Sequence, residues 1–200
     1  MANKHQRSIG VYWMKSKQVF RYMVMMVSLL ALSLSTGCGG ETVIDTGMPD
    51  MSVGRWGHSA TMLSDGRVLV AGGDTKYSTR TDAAEIYDPS GGSIAINPMS
   101  ERRGQGHSAT LLTNGKVLIV GHETVSEIFN PADNTWTPTP AMEKPRVWHV
   151  AILLPDGRVL IAGGQNADSR REMATAEIYD PQTGEWSRTG DMNVASERPS

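Results

Sequence analysis

Three similar stretches of the chain each contain a short apolar run that is followed directly by glycine. The runs are Val68–Ala71, Val117–Val120 and Val159–Ala162, and each is apolar at consecutive positions. Four consecutive apolar residues between turn signals indicate a strand covered on both faces, because a half-exposed strand would alternate apolar and polar residues. After residue 38 no helix-length segment has a 3.6-residue apolar period. The pattern therefore predicts an all-β fold built from repeated units.

The same strand signals surround each apolar run in the same order. A preceding strand starts at a histidine and is predicted at His58–Leu63, His107–Leu112 and His149–Leu154. An Asp-Gly or Asn-Gly pair then favours a tight hairpin, since both central residues of a type I′ turn need positive φ. A third strand is predicted at Glu85–Tyr87, Glu127–Phe129 and Glu177–Tyr179, each followed by Asp-Pro or Asn-Pro. A fourth carries Trp136 and Trp186, with Ile94 at the same distance from the proline in the first copy.

Four features recur in register: Arg followed by His, an apolar run into Gly-Gly, Glu-Ile-Tyr-Asp-Pro, and a late Trp. The second copy departs from them at His122 and Phe129. Together these features resemble the kelch repeat, whose period is about 50 residues. The resemblance implies a kelch-type β-propeller with three recognisable four-stranded blades, at 51–98, 99–141 and 142–191, and the start of a fourth at 192–200. It implies no particular activity, because propellers host many functions.

Propellers have about four to eight blades, so three blades and a beginning make an incomplete ring. Unpaired apolar blade faces favour association, since each repeat needs a neighbour to bury its surface. Two hypotheses follow: the chain is a truncated or split product of a longer propeller protein, or the ring closes by self-association of two chains.

The N-terminus has the layout of an export signal. Residues 1–37 contain five Lys and Arg and no acidic residue, with the apolar run Met23–Leu34 behind them. That run is shorter than the ~20 residues a spanning helix needs. The basic segment before the apolar run is unusually long for an export signal, and starting at Met14 would give it an ordinary length. We therefore predict that Met14 is the true start and that residues 1–13 do not belong to the protein. The segment Leu34-Ser35-Thr36-Gly37-Cys38 resembles the bacterial lipobox, although Ser35 replaces the usual apolar residue.

The lipobox resemblance implies lipidation of Cys38, followed by a tether over residues 38–50. The expected location is the bacterial cell envelope, lipid-anchored in the outer membrane, with secretion as the alternative. A plain signal peptide with an incidental cysteine is the competing interpretation. Beyond residue 37 the chain holds 14 Lys and Arg against 21 Asp and Glu, a net charge of −7. Nucleic acid is therefore not an expected partner, because its binding needs a basic surface.

The connection between the second and third strand of each copy varies most in length. It spans ten residues in the first copy, three in the second and eleven in the third. In an antiparallel blade this connection and the one leading into the first strand emerge on the same face, where repeat proteins usually place recognition. We predict ligand contacts from Arg80, Arg170 and Arg171 on that face.

Several repeated residues allow a chemical and a structural interpretation. His58, His107 and His149 could bind a metal, yet their spacing equals the repeat spacing, which favours a structural role. The repeated Arg and Glu residues favour an ion pair within or between blades over catalysis. Trp56 and Trp148 could stack on a sugar, but packing between blades is favoured.

These observations predict a non-catalytic module with no cofactor that binds protein or glycan through its loop face. The alternative is a fragment of a galactose-oxidase-like or other propeller enzyme whose catalytic residues are missing. In the galactose oxidase family the copper site includes a cross-linked Cys and Tyr. Cys38 is the only cysteine and lies in the lipobox, so this chain could not build that cofactor. A purely structural envelope protein is the third possibility.

Overall fold

A computed structural model describes residues 51–193 of the 200-residue chain. The predicted signal, the lipidation site at Cys38, the tether and the last seven residues lie outside the described residues. No helix is present between residues 51 and 193. Accordingly, no helix in this range has the length and apolar character to cross a membrane.

Between residues 51 and 193, sixteen strands form three four-stranded antiparallel sheets and two short pairs. Blade 1 contains β2 (Ser59–Met62), β3 (Val68–Ala71), β5 (Ala84–Asp88) and β6 (Gly92–Ala95). Blade 2 contains β7 (Ser108–Leu111), β8 (Val117–Gly121), β9 (Glu123–Asn130) and β10 (Thr135–Ala141). Blade 3 contains β12 (Val150–Leu153), β13 (Val159–Ala162), β15 (Ala176–Asp180) and β16 (Glu185–Arg188). The four strands of each blade, in chain order, are called A to D below.

The kelch-type all-β prediction is confirmed, with small differences at the strand ends. Each strand A begins one residue after its predicted histidine, so the histidines lie in the connection that enters the blade. Strand C of blade 2 starts at Glu123 and takes in the whole three-residue connection predicted before it. The described blades form an open arc of three sheets.

Strand D of blade 1 has a different register from its counterparts. Trp136 pairs with Phe129 and Trp186 pairs with Tyr179, but the residue opposite Tyr87 is Ser93. The C–D turn of blade 1 is one residue shorter, which shifts the strand by one position. Because side chains alternate between faces, the shift turns Ile94 to the opposite face, where it is 58% exposed. The prediction that Ile94 takes the tryptophan position is therefore wrong.

Apolar side chains fill the two junctions between blades. Leu69 and Ile86 of blade 1 pack against Val117, Ile119 and Phe129 of blade 2 in one cluster. In the second, Leu118 and Val120 of blade 2 pack with residues of blade 3. Its blade 3 members are Val159, Ile161 and Tyr179. Burying apolar area at about 25 cal/mol per Å² is the main stabilising contribution of such stacking.

The strand D tryptophans extend each junction toward the previous blade. Trp136 contacts Phe129 with ring centroids 4.8 Å apart, and its indole N–H donates to the Asn97 carbonyl at 2.8 Å. Trp186 contacts Tyr179 at 5.0 Å, and its indole N–H lies 3.3 Å from Thr139 Oγ1. Each indole therefore joins two successive copies of the repeat.

Two short strand pairs organise the face that carries the variable loops. β1 (Arg55–Trp56) pairs with β4 (Asp74–Thr75), and β11 (Arg146–Val147) pairs with β14 (Gln165–Asn166). Each pair joins the connection entering strand A to the B–C loop of the same copy. These pairs were not predicted, and they hold the long loops of blades 1 and 3 against their own blades.

Candidate binding pocket on the loop face

Each blade contains a buried ion pair beneath its loop face. The pairs are Arg55–Glu85, Arg103–Glu127 and Arg146–Glu177, at 2.5, 3.1 and 2.7 Å, with no side chain more than 5% exposed. Each guanidinium also donates to carbonyls at the end of strand B or the start of strand C; Arg103, for example, reaches Gly121 and Val125. The structural interpretation of the repeated Arg and Glu is thus supported, with the pair lying inside one copy.

The second oxygen of each glutamate fixes the segment that enters the copy. Glu85, Glu127 and Glu177 accept the backbone N–H of Ser52, Ser100 and Glu143 at 2.8–3.0 Å. Each of these residues follows the methionine that precedes the repeat arginine by four positions. The carboxylate is therefore satisfied by an arginine and a backbone donor, which a buried charge requires.

Two of the three repeated histidines, His107 and His149, connect neighbouring blades. His107 Nδ1 donates to the Gly104 carbonyl at 2.6 Å, so Nε2 accepts from the Ser59 hydroxyl of blade 1 at 3.0 Å. His149 Nε2 lies 2.8 Å from Ser108 Oγ of blade 2. Burial lowers the pKa of His107 to about 4 and that of His149 to about 3, with Arg146 adding to the second shift. Both rings are therefore neutral near pH 7.

No metal-binding donor group occurs within the part of the chain that the structure describes. Nowhere in residues 51–193 do three His, Cys, Asp or Glu side chains come together in a way that could hold a metal ion. The three histidines line a cavity of about 530 Å³, but the rings of His107 and His149 bond to serines of the preceding blade.

A polar cavity of about 330 Å³ opens on the loop face above blade 2. The long loops of blades 1 and 3 lie on either side, and the short B–C connection of blade 2 lies between them. Its size is at the lower end of the ~300–1,000 Å³ typical of small-molecule sites. The lining residues are Trp56, Asp74, Ser78, Arg80, Gln105, His122, Glu123, Val147, Trp148, Ala167, Asp168 and Arg170.

The cavity brings together two of the three arginines predicted to bind ligand. Arg80 and Arg170 come from different blades and both line it, whereas Arg171 does not. Arg80 pairs with Glu123 at 3.7 Å, with both side chains about half exposed. The guanidinium of Arg170 makes no ion pair within residues 51–193. No measurement tests ligand binding by these residues, so their role stays a prediction.

Four of the residues around the cavity have a backbone conformation that favours glycine. Five non-glycine residues between 51 and 193 have positive φ, and Ser78, His122, Trp148 and Arg170 among them line this cavity. Their φ values lie between 56° and 70°. A left-handed conformation costs roughly 1–2 kcal/mol for a residue with a Cβ. Such strained positions cluster at binding sites in folded proteins.

The sequence contained a signal for two of these residues. His122 occupies the place of the second glycine of Gly72-Gly73 and Gly163-Gly164, and Trp148 occupies the place of Gly57 and Gly106. In the sequence, His122 stands out only as a departure from the repeat. A bulky residue at a repeat glycine was the signal, but only the structure shows that both departures border one cavity.

Comparison with known proteins agrees with this architecture. A family model described as the Kelch motif matches residues 149–193. No curated protein sequence matches the chain. The described chain has the fold of a kelch-type β-propeller.

Among solved structures, the chain is similar to a fungal alcohol oxidase of the AA5 family in complex with copper. The TM-score is 0.53 at 18% sequence identity, and the match covers 66% of this chain and 30% of that one. The chain thus corresponds to less than a third of the oxidase. At this identity the likeness concerns the fold alone. The residues described here offer no three-donor group for a copper ion.

Proposed function

We propose that this chain is a non-catalytic kelch-type binding module, held at the bacterial cell envelope by a lipid on Cys38. The observation that supports binding is the polar cavity between the long loops of blades 1 and 3. It brings Arg80 and Arg170 together from distant parts of the sequence. Loops on a rigid scaffold are where binding residues concentrate.

Buried ion pairs and short strand pairs beneath the cavity anchor these loops to their blades. The three buried Arg–Glu pairs lie directly below the loop face, and two of their arginines begin the short strands β1 and β11. Those strands hold the two long loops that border the cavity. A preorganised site loses less conformational entropy on binding.

A binding assay on the purified full-length chain tests this function. Ligand capture is measured on a glycan array and with envelope extracts, for the native chain and an Arg80→Ala/Arg170→Ala variant. Loss of capture in the variant, with unchanged thermal stability, supports binding through the loop face. Equal capture by both chains would contradict it.

Lipid attachment has a separate test. Cells expressing the native chain or Cys38→Ala are labelled with a radioactive fatty acid and fractionated. Label on the native chain in the membrane fraction, and its absence from the variant, is the expected result. An unlabelled native chain would support a plain signal peptide.

A second candidate function is part of an oxidase. Its support is the fold likeness to the alcohol oxidase, of which this chain covers 30%. Stoichiometric copper on the purified full-length chain would favour the oxidase and contradict the non-catalytic module.

A further inference from the structure

At one backbone position beside the loop-face cavity, blades 1 and 3 have glycine, which adopts positive φ without strain, and blade 2 has a residue with a side chain. Gly73 and Gly164 have φ of +97° and +84°, and a Cβ built on either would lie within 2.8 Å of a backbone carbonyl oxygen. His122 has φ of +70° at the equivalent place and carries a full side chain. The histidine therefore accepts a conformation that glycine adopts without cost.

One extra residue makes room for this histidine. Three residues separate Arg103 from His107, whereas two separate Arg55 from His58 and Arg146 from His149. The longer connection contains Gln105, whose carbonyl accepts a hydrogen bond from His122 Nε2 at 3.0 Å. Insertion and histidine thus fit each other, and both line the cavity.

Trp148 shows a similar pair of changes on the neighbouring side. It has φ of +59° where the other copies have glycine. Its ring covers Gly106, since a Cβ on Gly106 would lie 2.9 Å from the ring carbon Cδ2. A glycine in blade 2 is thus required for the indole of blade 3 to lie beside the cavity.

The charges of the cavity suit a neutral ligand better than a strongly charged one. Three carboxylates and two guanidiniums line it: Asp74, Glu123, Asp168, Arg80 and Arg170. Asp74 is buried and accepts the Gln105 N–H at 3.0 Å, and Glu123 is paired with Arg80. Burial lowers the pKa of His122, so its ring adds no charge near neutral pH. Formal charges therefore sum to about −1, with hydrogen-bond donors and acceptors placed side by side.

We infer that this cavity binds a neutral saccharide, with His122, Trp148 and Arg170 as contact residues. The inference rests on the proposed binding function and names its ligand class. Hydroxyl groups both donate and accept, so a sugar can bond to guanidinium and carboxylate groups at once. Trp56 and Trp148 supply apolar ring surface with a polar edge, the mixed surface that a sugar ring matches. The strain at His122 and Trp148 is offset when these side chains contact the ligand.

The test is a glycan array carrying neutral and acidic oligosaccharides, probed with the full-length chain. Calorimetric titration with the best neutral saccharide follows. Arg170→Ala weakens binding about tenfold or more, equivalent to about 1.4 kcal/mol. Arg171→Ala is the matched control, because it removes the same charge from the adjacent residue outside the cavity, and its affinity stays within about twofold.

His122→Gly separates a ligand role from a structural one. Glycine relieves the left-handed backbone, so we expect an unchanged or higher melting temperature together with weaker saccharide binding. A lower melting temperature with unchanged affinity would make His122 structural and overturn its assignment as a contact.

Other outcomes distinguish this inference from the proposed function. Binding of only acidic saccharides, or of only a protein through Arg80 and Arg170, overturns the neutral saccharide and leaves the binding module standing. Saccharide binding insensitive to both Arg170→Ala and His122→Gly places the ligand elsewhere. If the chain captures neither saccharide nor protein, both proposals fail.

Discussion

Blades 2 and 3 have almost the same central strand, Val-Leu-Ile-Val and Val-Leu-Ile-Ala, but differ in burial. All five residues of β8 in blade 2 are buried, whereas burial alternates along β13 in blade 3. Leu118 is 0% exposed because blade 3 covers it, and Leu160 at the same place is partly exposed. Within residues 51–193, no further sheet lies on that face of blade 3. The continuous apolar strand of blade 3 is thus covered on one face, whereas all four residues of β3 in blade 1, the other end of the arc, are buried.

The outward face of blade 3 also has a different strand A. Blades 1 and 2 have Ser-Ala-Thr there, and blade 3 has Val150-Ala151-Ile152. In the two internal junctions that serine bonds the histidine of the next blade. Ile152 is 48% exposed among the described residues. The open face of blade 3 is therefore more apolar than the equivalent internal faces.

The largest expected loss of stability comes from breaking the buried ion pairs, and we expect the loss to be the same in blades 2 and 3. Glu127→Ala and Glu177→Ala each leave a buried arginine unpaired, and each should reduce the free energy of unfolding by about 3–5 kcal/mol. Urea denaturation of the full-length variants measures it. If Glu177→Ala costs far less than Glu127→Ala, blade 3 is more loosely held than the structure indicates.

Paired leucine substitutions test the difference in burial between strand β8 of blade 2 and strand β13 of blade 3. Leu118→Ala should lower the free energy of unfolding by about 2–5 kcal/mol, as for a fully buried leucine. Leu160→Ala should lower it by less than half as much, because part of its surface remains in water. The same urea titrations give both values, and equal losses would show that something covers the outer face of blade 3 in solution.

Lower pH should weaken both junctions. The pKa of His107 is about 4 and that of His149 about 3 in the folded chain, below the ordinary value near 6.5. The unfolded chain therefore binds more protons between about pH 6.5 and pH 3, and stability falls as the pH decreases through that range. Stability is unaffected by these groups above pH 6.5.

Denaturation midpoints at pH 7, 5.5 and 4 measure this loss. A His107→Gln/His149→Gln variant should show a flatter profile across the same pH values. A native profile as flat as that of the variant would contradict the interblade role of the two rings.

The smallest stability effect is expected for Ile152→Thr, which gives blade 3 the residue of blades 1 and 2. We expect a change within about 0.5 kcal/mol, as for most exposed substitutions. If self-association uses this face, light scattering of the full-length chain will show fewer dimers in the variant. Dimerisation unaffected by the substitution would place the contact elsewhere.

Much of the fold could be predicted because the same local signals for turns and strands occur in all three copies. Asp-Gly and Asn-Gly turns, Asp-Pro ends and apolar strands recur in register, so the sheets followed from local pattern. The position of Ile94 could not be predicted the same way. A C–D turn shorter by one residue reverses the face of a strand, and turn length in space is not visible from the distance to a proline.

The candidate site was predictable only in part. Loop lengths indicated the face and two of its arginines, Arg80 and Arg170. Arg171 was predicted with them but does not line the cavity. The contribution of His122 depends on the inserted Gln105 of its own copy, and that of Trp148 on Gly106 of the preceding copy. The pattern within a single copy does not show that the two side chains border one cavity.

By itself, the sequence determined the strand pattern, the repeat, and the recurrence of one arginine and one glutamate in each copy. These depend on residue type and on spacing within one copy, which the chain carries locally. Only the tertiary structure decided which faces are covered and which side chains share the loop-face cavity. Those properties arise where different copies meet, and contact between copies depends on three-dimensional packing over many tens of residues.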